Sequence, residues 1–252
     1  MSWAGTGEAF AASYAALCAG TGERLREMTG PARGRTLLDV GAGDGTLAAA
    51  WTDAGWRVTA AEPEPSMREV AHARHPTLPL VSDALPDLAF DDDRFDVVTA
   101  NFVLNHVPDP RAAAAELRRV AGDLVIVTTW SASPTALWSE VTARAGLTQV
   151  PATRLPPEKD FERTAEGLRR MLTEAGWQPE VTELTWTWHV AAEALWRSVT
   201  GGVAGAGAFY ATLADADRAR FRSAFDDLTV DRADGGRMPM TQTAAIAVEH
   251  LG

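Results

Sequence analysis

Apolar positions in the first half of the chain fall into short runs separated by stretches of helical period. "RTLLDV" (35–40), "WRVTAAE" (56–62), "LPLVSD" (78–83), "RFDVVTAN" (94–101) and "DLVIVTTW" (123–130) are brief, apolar runs and predict five strands. "GTLAAAWTDAG" (45–55) predicts a helix that ends at Gly55. "EPSMREVAHAR" (64–74) predicts a second helix, with Pro65 in its first turn, and "DPRAAAAELRRVA" (109–121) a third, capped by Asp109 and started by Pro110. Strands alternating with helices of this length imply a parallel sheet covered on both faces.

The second half has a different rhythm. Residues 131–163 are proline-rich ("SASP", "VPATRLPPEKD"), with one helix near 135–145. "RTAEGLRRMLTEAG" (163–176) predicts a helix and "WQPEVTELTWTWHV" (177–190) a strand. Residues 191–228 read as helical with a glycine-rich break at 201–207, and "MTQTAAIAVEH" (240–250) reads as a last strand. The chain is expected to be one domain over 1–252. Its core would be about 31–130, 163–190 and 237–252. A mainly helical cap, about 1–30 with one helix over about 7–29, 131–162 and 191–236, would lie over the open end of the sheet.

Composition narrows the classes. The chain has 252 residues, 46% hydrophobic and 23% charged, which suits a globular protein with a real core. No apolar run approaches the ~20 residues that cross a bilayer. The start, "MSWAGTGEAF", lacks a basic segment followed by an apolar one, so no secretory signal is expected. Cys18 is the only cysteine, which removes an intrachain disulfide and fits a cytoplasmic setting. A net charge of −11 without a Lys/Arg block argues against a nucleic-acid partner. No histidine–carboxylate cluster suggests a metal.

Candidate chemistry begins at "LLDVGAGDGTLAAA", where Gly41, Gly43 and Gly45 stand at alternate positions between a strand and a helix. Ligands of open α/β sheets bind at the carboxyl ends of the strands, and glycines there permit a tight turn and close approach to the backbone. The spacing is G-x-G-x-G, and position 46 is threonine where the dinucleotide fingerprint would have its third small residue one step later. Glu62 ends the second strand, where a carboxylate can accept from the vicinal hydroxyls of a ribose. Asp83, followed by Ala84 and Leu85, ends the third; it can accept from an adenine amino group while Leu85 packs on the ring. Asn101 and the loop after it come to the same mouth.

Other residues have two readings each. Asp39 either caps the glycine turn or meets the ligand, and Asp44 reads as a helix N-cap. His106 in "LNHVPDP" and His189 after "TWTW" are the candidates for proton transfer, each also readable as a packing histidine. Tyr14 shares an apolar helix face with Phe10, Leu17 and Cys18; it either packs or brings a lid hydroxyl to the ligand's carboxylate. His72, His75 and His250 carry no assignment. Nine tryptophans are many for this length; some of those in the cap would wall a pocket suited to a flat or apolar small molecule.

Taken together, "LLDVGAGDGTLA", "VTAAEPEPSM" and "VSDALPDLAFDDDRFDVVTANFVLNHVPDPRAAAAELRRV" resemble the class I S-adenosylmethionine-dependent methyltransferases, in their bacterial small-molecule group. The resemblance is close over about 35–130, weaker through 163–190, and carries no acceptor-specific motif past Trp130. It implies a Rossmann-like sheet of seven strands, one antiparallel, with helices on both faces, and S-adenosyl-L-methionine as cofactor. It implies that the Gly41–Gly45 turn, Ala42 included, contacts the methionine part. Asp39 would lie near the amino group, Glu62 with Pro63 and Met67 beside the ribose, and Asp83 with Ala84 and Leu85 beside adenine. Asn101 matches the position whose backbone runs near the amino group and the methyl. The implied reaction is methyl transfer to O, N or C of a small molecule in specialised metabolism. Two other readings stay open: a protein that binds this cofactor without methylating, cyclase-like or inactive, and a nicotinamide-dependent oxidoreductase, against which the glycine spacing weighs. The oligomeric state is not legible in the sequence.

Overall fold

A computed structural model describes residues 3–132, 136–148 and 155–252. Its centre is a seven-stranded sheet in the order β3-β2-β1-β4-β5-β7-β6. The strands are β1 (Thr36–Val40), β2 (Arg57–Ala61), β3 (Leu80–Val81), β4 (Phe95–Asn101), β5 (Ala121–Ala132), β6 (Glu180–Ala191) and β7 (Arg237–His250). The first five pair in parallel, and β7 runs antiparallel between β5 and β6. This is the expected Rossmann-like sheet with one reversed strand.

Both faces of the sheet are buried, so the strands are apolar at successive positions and the pleat sorts them. On one face Leu38, Val98, Val125, Val127, Ala245 and Ala247 meet α6 (Pro110–Val120) and α8 (Ala165–Glu174). On the other, Leu37, Val97, Leu124, Ile126, Ile246 and Val248 meet α3 (Gly22–Thr29) and α4 (Thr46–Asp53). The helix α5 (Pro65–Arg74) starts as the sequence suggests, with Pro65 in its first turn and Glu64 accepting from Ser66 N–H. Asp109 likewise caps α6 by accepting from Ala112 N–H.

Four expectations are corrected in detail. The stretch 7–29 is not one helix but α1 (Gly7–Ala11), α2 (Tyr14–Cys18), a 3-10 turn (Ala19–Thr21) and α3. Ser13 leaves the helical region, with φ −136° and ψ −91°, and its hydroxyl donates to the Ala9 carbonyl at 2.5 Å instead. The third strand shrinks to two residues at the sheet edge, where Pro79 brings no N–H. Residues 191–228 form α9 (Ala192–Thr200), α10 (Ala204–Thr212) and α11 (Asp215–Arg232); only Gly201–Val203 interrupts, while Gly205 and Gly207 are helical. The last strand begins at Arg237 and not 240, because it zips to β6 as far as Ala191↔Arg237. Of the proline-rich stretch, residues 133–135 and 149–154 lie outside the described residues.

That long β6–β7 ribbon decides where the remaining helices go. β7 leaves β5 at Thr243, and the arm beyond carries Val190, Met238 and Met240 on one side. These pack with Leu137, Trp138 and Val141 of α7 (Ala136–Arg144), Leu195 and Val199 of α9, and Phe221, Phe225 and Leu228 of α11. The resulting helical layer hangs over the carboxyl ends of the strands.

Trp177 fastens the end of α8 to α6. It is 1% exposed, and its indole N–H donates to the Ala114 carbonyl at 3.0 Å. Trp177→Ala is expected to destabilise the fold by about 3–5 kcal/mol, the range for emptying a large aromatic site. A urea titration measures this; a change below ~1 kcal/mol would contradict the role given to the indole.

Candidate functional site

The turn after β1 is built by its glycines. Gly41, Gly43 and Gly45 have φ of +68°, +58° and +78°, a region that side chains disfavour. A Cβ on Gly43 would lie 3.1 Å from the Phe10 ring, and one on Gly41 would run into Val103 at 2.5 Å. The turn is held from the neighbouring strand. Glu62, just past β2, is 7% exposed and accepts from Gly43 N–H at 2.8 Å with one oxygen and from Glu64 N–H at 2.9 Å with the other. Burial raises the pKa of its carboxyl, opposed by these two backbone donors.

Asp39 sits one layer behind, 2% exposed, and accepts from the Thr99 hydroxyl at 3.0 Å. Burial pushes its carboxyl up to about 7, with the hydrogen bond from Thr99 opposing and the negative charge of Glu62 adding. Asp44 is not the N-cap of α4, because Gly45 occupies that position in a left-handed conformation. Asp44 instead accepts from Thr46 N–H at 3.2 Å and pairs with Arg74 at 2.6 Å. Asp83 accepts from Ala89 N–H at 2.9 Å across the turn that follows β3.

These groups open into one cavity of about 750 Å³. Asp39, Gly41, Ala42, Gly43, Glu62, Pro63, Met67, Asp83, Ala84, Leu85, Asn101, Tyr14 and His106 all line it, so residues chosen along 93 positions of sequence converge on one space. Its acidic part lies over β1, β2 and β3. Its other part is aromatic and runs under the cap, walled by Phe102, Trp130, Trp138, Phe209 and Phe221. Phe102 stacks on Trp130 with ring centroids 3.7 Å apart. Among the described lining residues Arg163 is the cationic one; it sits over the Phe161 ring and bonds to Asp160.

Two expectations change here. His189 is exposed, is not on the cavity wall, and its carbonyl accepts from Arg237 at 2.6 Å. Strand parity is the reason: Trp186, Trp188 and Val190 turn inward, so His189 must turn outward. Tyr14 does reach the cavity, but its hydroxyl accepts from Trp138 N–H at 2.8 Å and so faces the cap, not a ligand carboxylate. Burial raises its pKa. His106 stays on the wall, edge-on to Trp3 at 4.9 Å. The surrounding protein pushes its imidazole down to about 4, helped by Arg163, so it is neutral at physiological pH.

Asn101 lines the cavity, but its amide is taken by the protein: the oxygen accepts from Thr21 at 2.9 Å and Thr128 at 2.7 Å, and the nitrogen donates to the Cys18 carbonyl at 3.0 Å. Phe102 and Arg163 were not singled out in the sequence. They arrive through long-range packing, and only the positive φ of Phe102, +60°, marks a special position afterwards.

Comparison with known proteins bears on this geometry. Residues 38–123 match a family model described as a methyltransferase domain. The chain is 30% identical over 174 residues to a demethylmenaquinone methyltransferase of Streptomyces avermitilis, covering 66% of this chain and 72% of that protein. It is 28% identical over 184 residues to one of Paenarthrobacter aurescens, covering 68% and 67%. With one of Clavibacter sepedonicus the identity is 38% over 112 residues, spanning 46% of that protein. In fold the chain is similar to the YcgJ protein of Bacillus subtilis, with a TM-score of 0.57 at 16% identity over 92% of this chain and 97% of that one.

The buried acid Asp39 gives a pH test. Its folded pKa lies above the ordinary value of about 4. The stability it contributes is therefore full below about 4 and is lost as pH rises through about 7. Asp39→Asn should gain stability relative to the parent steadily from pH 5 to pH 8, on the order of 1 kcal/mol or more. Urea midpoints for both proteins across that range measure it; parallel curves would contradict the assignment.

Proposed function

Because the chain belongs to the S-adenosylmethionine-dependent methyltransferases, we propose that it moves a methyl group to an O, N or C atom of a small molecule with an aromatic or apolar body. The single observation that carries this reading is the two-part cavity, with an acidic, glycine-floored half joined to an aromatic half beneath the cap.

The residues suit the cofactor. A carboxylate has about four lone-pair directions, and Glu62 spends two on backbone N–H groups, which leaves two for vicinal hydroxyls. Asp83 beside Leu85 offers an acceptor next to an apolar plate, as an adenine requires. The Gly41–Gly45 turn leaves backbone accessible to the methionine part, with Asp39 behind it and Ala42, Pro63, Met67 and Ala84 completing the wall. When bound, the cofactor supplies a methyl group made electrophilic by its sulfonium. The chain's own task is to hold an acceptor in line and keep water away. Orientation of this kind is worth up to about 7–11 kcal/mol. The stacked Phe102 and Trp130 and the Trp138–Phe221 wall provide a dry, rigid bed for a flat ring. For a hydroxyl acceptor, His106 is the imidazole on the wall, and burial that lowers its pKa to about 4 leaves it a weak base.

The same reading treats residues 1–252 as one methyltransferase domain with a helical cap. It gives the protein neither a nucleic-acid partner nor a metal, and no described helix is long and apolar enough to cross a membrane. A cytoplasmic setting is part of it, supported by the single cysteine.

Calorimetric titration with S-adenosylmethionine, S-adenosylhomocysteine and NAD tests the proposal. Binding of the first two, with dissociation constants on the order of micromolar, and none of NAD is expected. Glu62→Ala should weaken binding by about 1–3 kcal/mol. Acceptor trials start with demethylmenaquinone, for which the relatives are named, and score methylated product and S-adenosylhomocysteine formed together. Binding without any co-formed product would favour the non-methylating reading. Binding of NAD alone would overturn the proposal.

A further inference from the structure

The N-terminal segment from Trp3 to Thr21 crosses the cavity as a strap, and it is fastened at both ends to elements that form the cavity floor. At its start, Gly5 N–H donates to Glu64 at 3.2 Å and Gly7 N–H to the Ser66 hydroxyl at 3.1 Å, two and four residues past Glu62. The fit is close, since a Cβ on Gly7 would lie 2.2 Å from the Ser66 carbonyl. In the middle, Phe10 rests on Gly43 and Tyr14 bonds to Trp138 of the cap. At its end the strap meets Asn101.

The Asn101 contacts form a clasp. Asn101 ends β4 and pairs in register with Thr128 of β5. Its amide oxygen accepts from the Thr128 hydroxyl of the sheet and the Thr21 hydroxyl of the strap, and its amide nitrogen donates to the Cys18 carbonyl. The Thr21 hydroxyl is shared with the Cys18 carbonyl at 3.0 Å, and Thr21 is fully buried. The chain then reverses at Phe102, whose N–H donates to the Thr128 hydroxyl at 2.9 Å and whose ring stacks on Trp130. The amide is thus oriented by the sheet on one side and grips the strap with the other. A carboxamide is required, because the site asks for an acceptor and a donor on the same planar group.

We propose that Asn101 is a positioning residue that holds the strap Trp3–Thr21 closed over the cofactor half of the cavity, through Thr21 and Cys18, and so sets how long the cofactor stays bound. This rests on the cofactor reading given above. The side chain acts through the strap and not by touching the reacting atoms. Cofactor leaves when the clasp opens, so the clasp acts on dissociation more than on association.

The test uses S-adenosylhomocysteine and the full chain, with dissociation followed by tryptophan fluorescence in a stopped-flow instrument. Thr21 does not line the cavity, so its variants leave the cofactor's own contacts intact. Thr21→Ala is expected to release S-adenosylhomocysteine about five- to tenfold faster, the effect of one net hydrogen bond. Thr21→Ser, which keeps the hydroxyl, should restore the parent rate, and Asn101→Ala should be at least as fast as Thr21→Ala. Amides of residues 5–21 should exchange faster in Thr21→Ala while those of β4 and β5 keep their protection. Unchanged dissociation in Thr21→Ala and Asn101→Ala, with S-adenosylhomocysteine still bound, overturns the clasp and leaves the cofactor reading standing. Faster release in Thr21→Ser equal to that in Thr21→Ala also overturns it, because packing and not the hydroxyl would then be responsible. Failure of the parent protein to bind S-adenosylhomocysteine overturns both.

Discussion

One buried carboxylate organises the ligand-facing end of this protein. Glu62 accepts the Gly43 N–H with one oxygen and the Glu64 N–H with the other, so the turn after β1 and the turn after β2 share a single anchor. Each of those turns would otherwise leave a backbone donor without a partner in a poorly solvated place. The tie also fixes where α5 starts, because Glu64 caps that helix and accepts from the strap's Gly5 at the same time. A cost is carried in return: burial disfavours the charge on Glu62 and on Asp39. Such strained electrostatics are typical of sites that hold ligands.

The rest of the architecture distributes two chemistries to either side of β1. Toward β2 and β3 the strand ends carry acids and glycines. Toward β4, β5 and the β6–β7 arm they carry aromatic rings and, above them, the cap. The strap joins both halves, touching Gly43 with Phe10, His106 with Trp3 and Trp138 with Tyr14. The two halves are built on different elements, strand ends on one side and cap helices on the other, so one can change in sequence without disturbing the other.

Much of the fold is legible in the chain. The strands of the first half are short and apolar because both sheet faces are covered, and their alternation with helices predicts parallel order. Asp109–Pro110 and Glu64–Pro65 mark helix starts by chemistry that needs no tertiary partner. Gly41, Glu62 and Asp83 line one cavity because each follows the end of a strand on the same side of the sheet. His189 shows a local rule that settles a position once applied: in a strand with Trp186 and Trp188 inward, residue 189 points out.

Where pattern stops, contacts at long range take over. The sequence by itself determined the strand–helix order of the first half and the acid–glycine half of the cavity, because hydrophobic period, turn chemistry and strand-end position are properties of a few neighbouring residues. Only the tertiary structure decided that the N-terminal stretch breaks into a strap, that Asn101 spends its amide on Thr21, Cys18 and Thr128, and that Tyr14 faces Trp138. Those partners are 80, 83, 27 and 124 residues apart, and a hydrogen bond over such a span depends on how whole layers pack, which no local pattern encodes.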